Sequence, residues 1–357
     1  MRTILFLVSN MFGGGAQRVL SRLADAFVQT DRVIILTSPT PESYPLSDKV
    51  EVRYLEELGY WPNPKWGRPG VAFYHLKRVL HFVRQVTRLK KQEKVDVTLS
   101  MLRLPNLLNA LSGGGGYKVM SERNNPRKKG RFYYLNSSFS YHFADRVVFQ
   151  TETVRDMFPR SVRRKGVVIP NPISVPCLAR EAEKKIVTLG RLHPQKNHAM
   201  LIRAFASFSQ THPGYSLHIY GKDMDGLNLQ AYVKKLSLED KVFLEGFHDD
   251  VHERIADAEQ FVLSSDYEGT PNALLEAMMM GLPCISTEFQ GDREFFGERR
   301  DACLLTPIGD ESSLSAAMSR LADDPDLRVS LSENARRFAS SFSLDKTVPL
   351  WYKTLSE

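Results

Sequence analysis

Glu268 and Glu276 stand eight residues apart in Asp266-Tyr267-Glu268-Gly269-Thr270-Pro271-Asn272-Ala273-Leu274-Leu275-Glu276-Ala277. The first lies in a Gly/Thr/Pro turn, and the second interrupts an apolar stretch. Thr270 as N-cap, Pro271 at the first helical position, Gly281 as terminator and Pro283 beyond it predict a helix. Glu268 then stands in a loop at the helix mouth, and Glu276 about a turn and a half inside. Unpaired backbone N–H groups at that mouth suit an anion or sugar oxygens. A solvated loop Glu followed by an ordinary surface Glu is the competing reading. The cap, the glycine and the apolar surroundings favour a site.

Cations accompany the acids. In Gly190-Arg191-Leu192-His193-Pro194-Gln195-Lys196-Asn197, Arg191 and Lys196 are five residues apart, between a predicted strand and a predicted helix. Two cations so placed converge on a diphosphate and neutralise charge that develops on a leaving group. Gly13-Gly14-Gly15 also falls between strand and helix, where glycine lets a phosphate approach the backbone. It is not Gly-x-Gly-x-x-Gly, because position 18 is Arg18, and no Walker Gly-Lys-Ser/Thr follows. A third loop, Arg123-Asn124-Asn125-Pro126-Arg127-Lys128-Lys129 after Glu122, suits an anionic acceptor such as a lipid diphosphate. Solvated surface charge is the alternative for each basic cluster. Asp223-Met224-Asp225 reads as a Gly-flanked turn rather than a metal-binding pair. The nine His residues show no metal-ligand spacing, and His193 and His198 read as a loop residue and a helix-face residue. No metal and no cofactor are expected. A Gly-x-Ser-x-Gly hydrolase elbow is missing from the sequence.

Strands are predicted at residues 4–9, 33–37, 95–100, 118–121 and 146–149, with helices at 16–28, 71–94 and 106–111. Residues 54–70, with Trp61 and Trp66 among Pro and Gly, read as a long loop. A Pro-punctuated linker follows Ile169-Pro170-Asn171-Pro172. A second series places strands at 186–189, 217–220, 242–244, 261–264 and 283–287, and a helix at 199–210, before a helical tail. Alternating strands and helices predict parallel doubly wound sheets. The expected plan is α/β, with two Rossmann-like domains facing a central cleft. The N-terminal domain takes 1–171, a linker 172–183, and the C-terminal domain 184–340. A C-terminal helix in 341–357 packs back on the N-terminal domain. In such sheets the ligand lies beyond the carboxyl ends of the strands, where Gly14, Arg191, Gly221, Gly246 and Glu268 fall.

The 357 residues carry a net charge of +7, unevenly spread. Residues 1–178 hold 28 Lys and Arg against 13 Asp and Glu; the remainder holds 20 against 28. A basic half suits nucleic acid, phosphate-rich ligands or an anionic membrane face. In 71–94, Phe73, Leu76, Val79, Leu80, Val83 and Val86 recur at helical spacing. Lys77, Arg78, Arg84, Arg88, Lys90, Lys91 and Lys94 carry the charge. That pattern fits a helix packed on the sheet with a basic outer face, and also an interfacial helix. The two Trp residues before it suit a membrane interface or a loop core. Three distant cysteines, Cys177, Cys284 and Cys303, argue for a reducing compartment and against a disulfide framework. No apolar run reaches the roughly 18 residues of a spanning helix.

Together these segments resemble the retaining glycosyltransferases of the GT-B fold, family 4. Gly14-Gly15-Ala16-Gln17-Arg18 resembles that family's glycine loop, with Gln17 where Glu is commoner. Gly190-Arg191 and Lys196-Asn197 resemble its diphosphate-binding residues, and Glu245-Gly246-Phe247 its base-binding segment. Glu268 to Glu276 is similar to its Glu-x7-Glu signature. Arg123 stands where many relatives carry His, and Gly221-Lys222-Asp223 departs from the commoner Gly-x-Gly.

The resemblance implies that Glu268 meets the transferred sugar, that Glu276 holds the ribose, and that Gly269, Thr270, Pro271 and Asn272 bind sugar and phosphate oxygens. Gly14, Gly15 and Phe247 complete the donor set, and Glu122, Arg123 and Asn124 form the acceptor set. It implies metal-free transfer with retention, from a nucleotide sugar to a glycan or polyprenyl-diphosphate-linked glycan in bacterial surface polysaccharide assembly. A UDP-sugar is favoured, with GDP-mannose as the alternative. The basic N-terminal half places the protein in the cytoplasm, on the inner face of the plasma membrane. A noncatalytic nucleic-acid-binding protein is the reading from another class, and a sugar-nucleotide epimerase of the same fold a third. The first leaves Arg191, Lys196 and Glu268 unexplained.

Overall fold

The computed structural model describes residues 1–11, 15–39, 45–59, 67–124, 126–176, 178, 180–223, 226–289 and 291–356. The chain divides into two compact units: Met1–Pro172 with Asp345–Glu357, and Ile173–Leu344.

The first unit is built on seven parallel strands: β1 Thr3–Leu7, β2 Arg32–Thr37, β3 Glu51–Tyr54, β4 Val97–Met101, β5 Tyr117–Ser121, β6 Arg146–Phe149 and β7 Gly166–Val168. Their order is β3-β2-β1-β4-β5-β6-β7, so chain direction across the sheet reverses between β1 and β4. Runs such as Ile4–Leu7 and Val147–Phe149 are apolar throughout because helices cover both faces of a parallel sheet. The helix Leu344–Thr354 belongs to this unit. It buries Trp351 fully with Ile4, Phe6 and Phe27, and Tyr352 donates to Asp31 at 3.1 Å.

The second unit has six parallel strands: β8 Glu183–Leu189, β9 Ser216–Tyr220, β10 Val242–Gly246, β11 Ala258–Leu263, β12 Cys284–Thr287 and β13 Leu304–Thr306. Their order, β10-β9-β8-β11-β12-β13, reverses between β8 and β11. Two apolar clusters cover its two faces. Both units are α/β and doubly wound.

Several expectations need correction. Residues 54–70 are not all loop: Tyr54 ends β3, and a helix spans Gly67–Gln92. Trp61 and Trp66 lie outside the described residues. In that helix Phe73, Leu76 and Leu80 are exposed, while Tyr74, Phe82 and Val86 are buried. The core-facing stripe is therefore rotated from the one the spacing suggested. Lys90, read as surface charge, is 0% exposed and donates to Asn109 Oδ1 at 3.0 Å. Burial, with Lys118 nearby, pulls its ammonium down to about 7. The helix Arg131–His142 and strands β3 and β7 had no counterpart in the prediction.

Candidate active site

The reversal between β8 and β11 puts two strand-end loops side by side, the usual place for a ligand in an open α/β sheet. One loop, after β8, carries Arg191 and Lys196; the other, after β11, carries Glu268. Four hydrogen bonds staple them. Gln195 O accepts from Asp266 N at 2.9 Å, and Gln195 Nε2 donates to Tyr267 O at 2.7 Å. Asn197 Nδ2 donates to Asp266 Oδ1 at 2.9 Å, and Ser264 Oγ to Lys196 O at 2.7 Å. Asn197, in the left-handed region at φ 48°, also caps the helix His198–Thr211. It therefore fixes both the helix start and the neighbouring loop.

Across this staple Lys196 Nζ meets Glu268 Oε1 at 2.7 Å, and both side chains are largely buried. Gln195 Nε2 approaches the other oxygen at 3.4 Å. Arg191 is exposed, and Lys196 is paired with Glu268. Gly221 lets the β9 end run against the β8 end: a Cβ there would lie 1.8 Å from Gly190 O. His198 opens the helix His198–Thr211 and lies on its buried side. Its Nε2 lies 3.3 Å from Arg191 O, and burial pushes its imidazole down to about 4.

The helix carrying the second glutamate runs Asn272–Met280. Thr270 does not cap it. Pro271 occupies the cap position without a side-chain hydrogen bond, and its ψ of 85° keeps it out of the helix. Gly281 ends the helix at φ 82°. Gly269 is exposed at the mouth, while Pro271 is buried. Glu276 is 1% exposed among Leu274, Leu275, Ala277 and Met278, so it is no surface residue. Its Oε2 lies 3.3 Å from His252 Nε2. Beyond β10, Phe247 stands half exposed, and Gly246 turns at φ 78°.

In the first unit the Glu122 carboxylate is enclosed by donors. Tyr133 O–H donates at 2.7 Å, Tyr141 O–H at 2.9 Å, and the Arg123 and Asn124 amides at 3.0 Å each. Burial raises its pKa above the ordinary carboxylate value in spite of these donors. Arg123 Nη1 donates to Asn171 Oδ1 at 2.6 Å, and the guanidinium lies over Trp351. Burial lowers it to about 10, so it stays cationic at neutral pH. Asn124 Nδ2 donates to Tyr133 at 3.1 Å. Gly15 opens the helix Gly15–Phe27, and Gln17 donates to Asn10 at 3.1 Å. Gly14, Asn125, Cys177 and Asp225 lie outside the described residues. Asp223 bridges to Leu192. Among the described residues no three His, Cys, Asp or Glu side chains cluster to hold a metal.

Gln195, Ser264, Asp266 and His252 were not singled out from sequence. Their contacts join segments 24 to 73 residues apart, which local patterning does not reveal.

The family described as Glycosyltransferase Family 4 matches residues 13–175, and that described as Glycosyl transferases group 1 matches residues 174–338. The chain belongs to these family 4, group 1 glycosyltransferases of the GT-B fold. It is 26% identical, over 96% of both chains, to a Campylobacter jejuni N-acetylgalactosamine-N,N'-diacetylbacillosaminyl-diphospho-undecaprenol 4-alpha-N-acetylgalactosaminyltransferase. A second C. jejuni protein, a GalNAc-alpha-(1->4)-GalNAc-alpha-(1->3)-diNAcBac-PP-undecaprenol alpha-1,4-N-acetyl-D-galactosaminyltransferase, is also 26% identical, over 100% of this chain and 99% of its own. Among solved structures, S. aureus TarM superposes with TM-score 0.81 at 12% identity, over all of both chains. Anabaena HepE in complex with UDP gives 0.77 at 18% identity, again over all of both.

Proposed function

We propose that this glycosyltransferase moves a hexose or HexNAc from a UDP-sugar to a polyprenyl-diphosphate-linked glycan, with retention and without a metal. The observation that carries the reading is the Lys196–Glu268 pair, held at 2.7 Å by two stapled loops at the sheet's reversal point. Support for the donor comes from the UDP complex of HepE, and support for the acceptor from the two Campylobacter relatives.

As the sugar–phosphate bond breaks, charge grows on the departing nucleoside diphosphate. Lys196 has three N–H donors, so it can keep Glu268 and also take a phosphate oxygen. Arg191, exposed beside it, supplies a second cation. The amides of Gly269, Thr270, Asn272 and the helix mouth take further oxygens. Glu268 stabilises positive charge at the anomeric carbon. The acceptor hydroxyl attacks from the face the phosphate leaves, and the phosphate oxygen accepts its proton. Glu276 holds the ribose, and Phe247 borders the donor. On the acceptor side, Glu122 fixes the Arg123 and Asn124 backbone, and Arg123 provides positive charge.

The same reading places the protein against an anionic membrane. Among the described residues no helix is long and apolar enough to cross one. Phe73, Leu76 and Leu80 are exposed beside Lys77 and Arg84, and Phe132, Leu135 and Phe139 are exposed on a second helix. Binding to anionic vesicles at low salt, weakened at high salt, is expected; a protein that ignores such vesicles removes this clause.

Nucleotide sugars are offered with a polyprenyl-diphosphate glycan in EDTA, and the product is followed by mass and anomeric configuration. The expected result is one added sugar from a UDP-sugar, with retained configuration. No added sugar from any donor, or donor conversion without acceptor, contradicts the proposal.

A further inference from the structure

Glu276 poses a problem that its place in the helix does not solve. Two ribose hydroxyls need two acceptor oxygens, and a carboxylate offers both only when ionised and correctly rotated. Yet Glu276 is 1% exposed, and its chain neighbours Leu274, Leu275, Ala277 and Met278 are apolar and buried. His252, on the helix Val251–Ile255 that follows β10, puts its Nε2 3.3 Å from Glu276 Oε2. A carboxylate oxygen only accepts, so Nε2 carries the proton and donates. The imidazole keeps partial contact with solvent, while the carboxylate has almost none.

We infer that His252 is a positioning residue for the donor: it orients the Glu276 carboxylate that grips the ribose hydroxyls. This rests on the reading of Glu276 as the ribose-binding group. A donor to the charged form favours that form in a buried site. One N–H on Oε2 also stops the carboxylate from rotating. It uses one lone pair and leaves acceptor capacity on both oxygens for the two O–H groups. The two glutamates of the signature would each then have a nitrogen donor, Lys196 for Glu268 and His252 for Glu276.

The test is calorimetric titration of the full chain with UDP and with 2′,3′-dideoxy-UDP, which lacks the hydroxyls. His252→Leu is expected to weaken UDP binding by about tenfold, the loss of one charge-assisted hydrogen bond. Its affinity for dideoxy-UDP should stay that of the wild type. His252→Gln, whose side-chain amide reaches as far as Nε2, should recover most of the loss. His252→Asn, too short to reach, should behave as His252→Leu and serves if that variant does not fold. In turnover, donor KM rises while kcat at saturating donor holds. Equal UDP affinity in wild type and His252→Leu overturns the inference. So does equal weakening towards both nucleotides, the mark of a merely structural residue. Failure of the wild type to bind UDP overturns the donor reading itself.

Discussion

Glu268 and Glu276 lie on one short segment and are held in opposite ways. Glu268 sits in a turn, with its carboxylate against the Lys196 ammonium and the Gln195 amide. Glu276 is buried in a helix between apolar chain neighbours and is met by an imidazole. A group that must answer charge moving during a reaction needs a cationic neighbour able to share itself with the leaving phosphate. A group that only grips a neutral diol needs rigidity and correct orientation. On the proposed function, that difference suits Glu268 to the chemistry and Glu276 to recognition.

Substitutions can break that assignment. Glu268→Gln keeps the shape and removes the charge, and should lower kcat by about a thousandfold, as loss of one transition-state stabiliser does. Lys196→Ala should cost about a hundredfold and also lower the melting temperature, because it strips Glu268 of its cation. Both are read by steady-state kinetics with thermal melts as control. Glu276→Gln should raise donor KM about tenfold and leave kcat within a few-fold. If it lowers kcat as strongly as Glu268→Gln does, the division of roles is wrong.

Lys90 offers a contrast in the first unit: a buried ammonium that donates to Asn109. Its folded value of about 7 lies below the ordinary 10.5 of an unfolded lysine. Between those values the unfolded chain binds the extra proton, so stability rises with pH from 7 towards 10.5. Below pH 7 the lysine is charged in both states and the burial cost is present in full. Denaturant unfolding at pH 7 and pH 9 should show a gain on the order of 2 kcal/mol. Lys90→Met should shrink that gain and leave turnover unchanged.

Much of this was legible in the sequence because the information is local. The strands appear as short apolar runs, three of them closed by Gly190, Gly221 and Gly246, and the glutamate helix is ended by Gly281 and Pro283. The errors arose where tertiary contacts decide. Pro271 could not act as a helical residue with ψ at 85°, so the predicted Thr270 cap failed. Lys90 reads as surface charge until Asn109 is known to face it. Periodicity in Gly67–Gln92 identified a helix but not which apolar residues face the sheet, since Phe73 and Leu76 remain outside. The staples between the Lys196 and Glu268 loops span about 70 residues and leave no pattern in the chain.

The division between the two glutamates is tested most directly by UDP calorimetry on Glu268→Gln and Glu276→Gln. Glu268→Gln should bind UDP as the wild type does, and Glu276→Gln about tenfold more weakly. Weakened binding in Glu268→Gln together with wild-type binding in Glu276→Gln would contradict it.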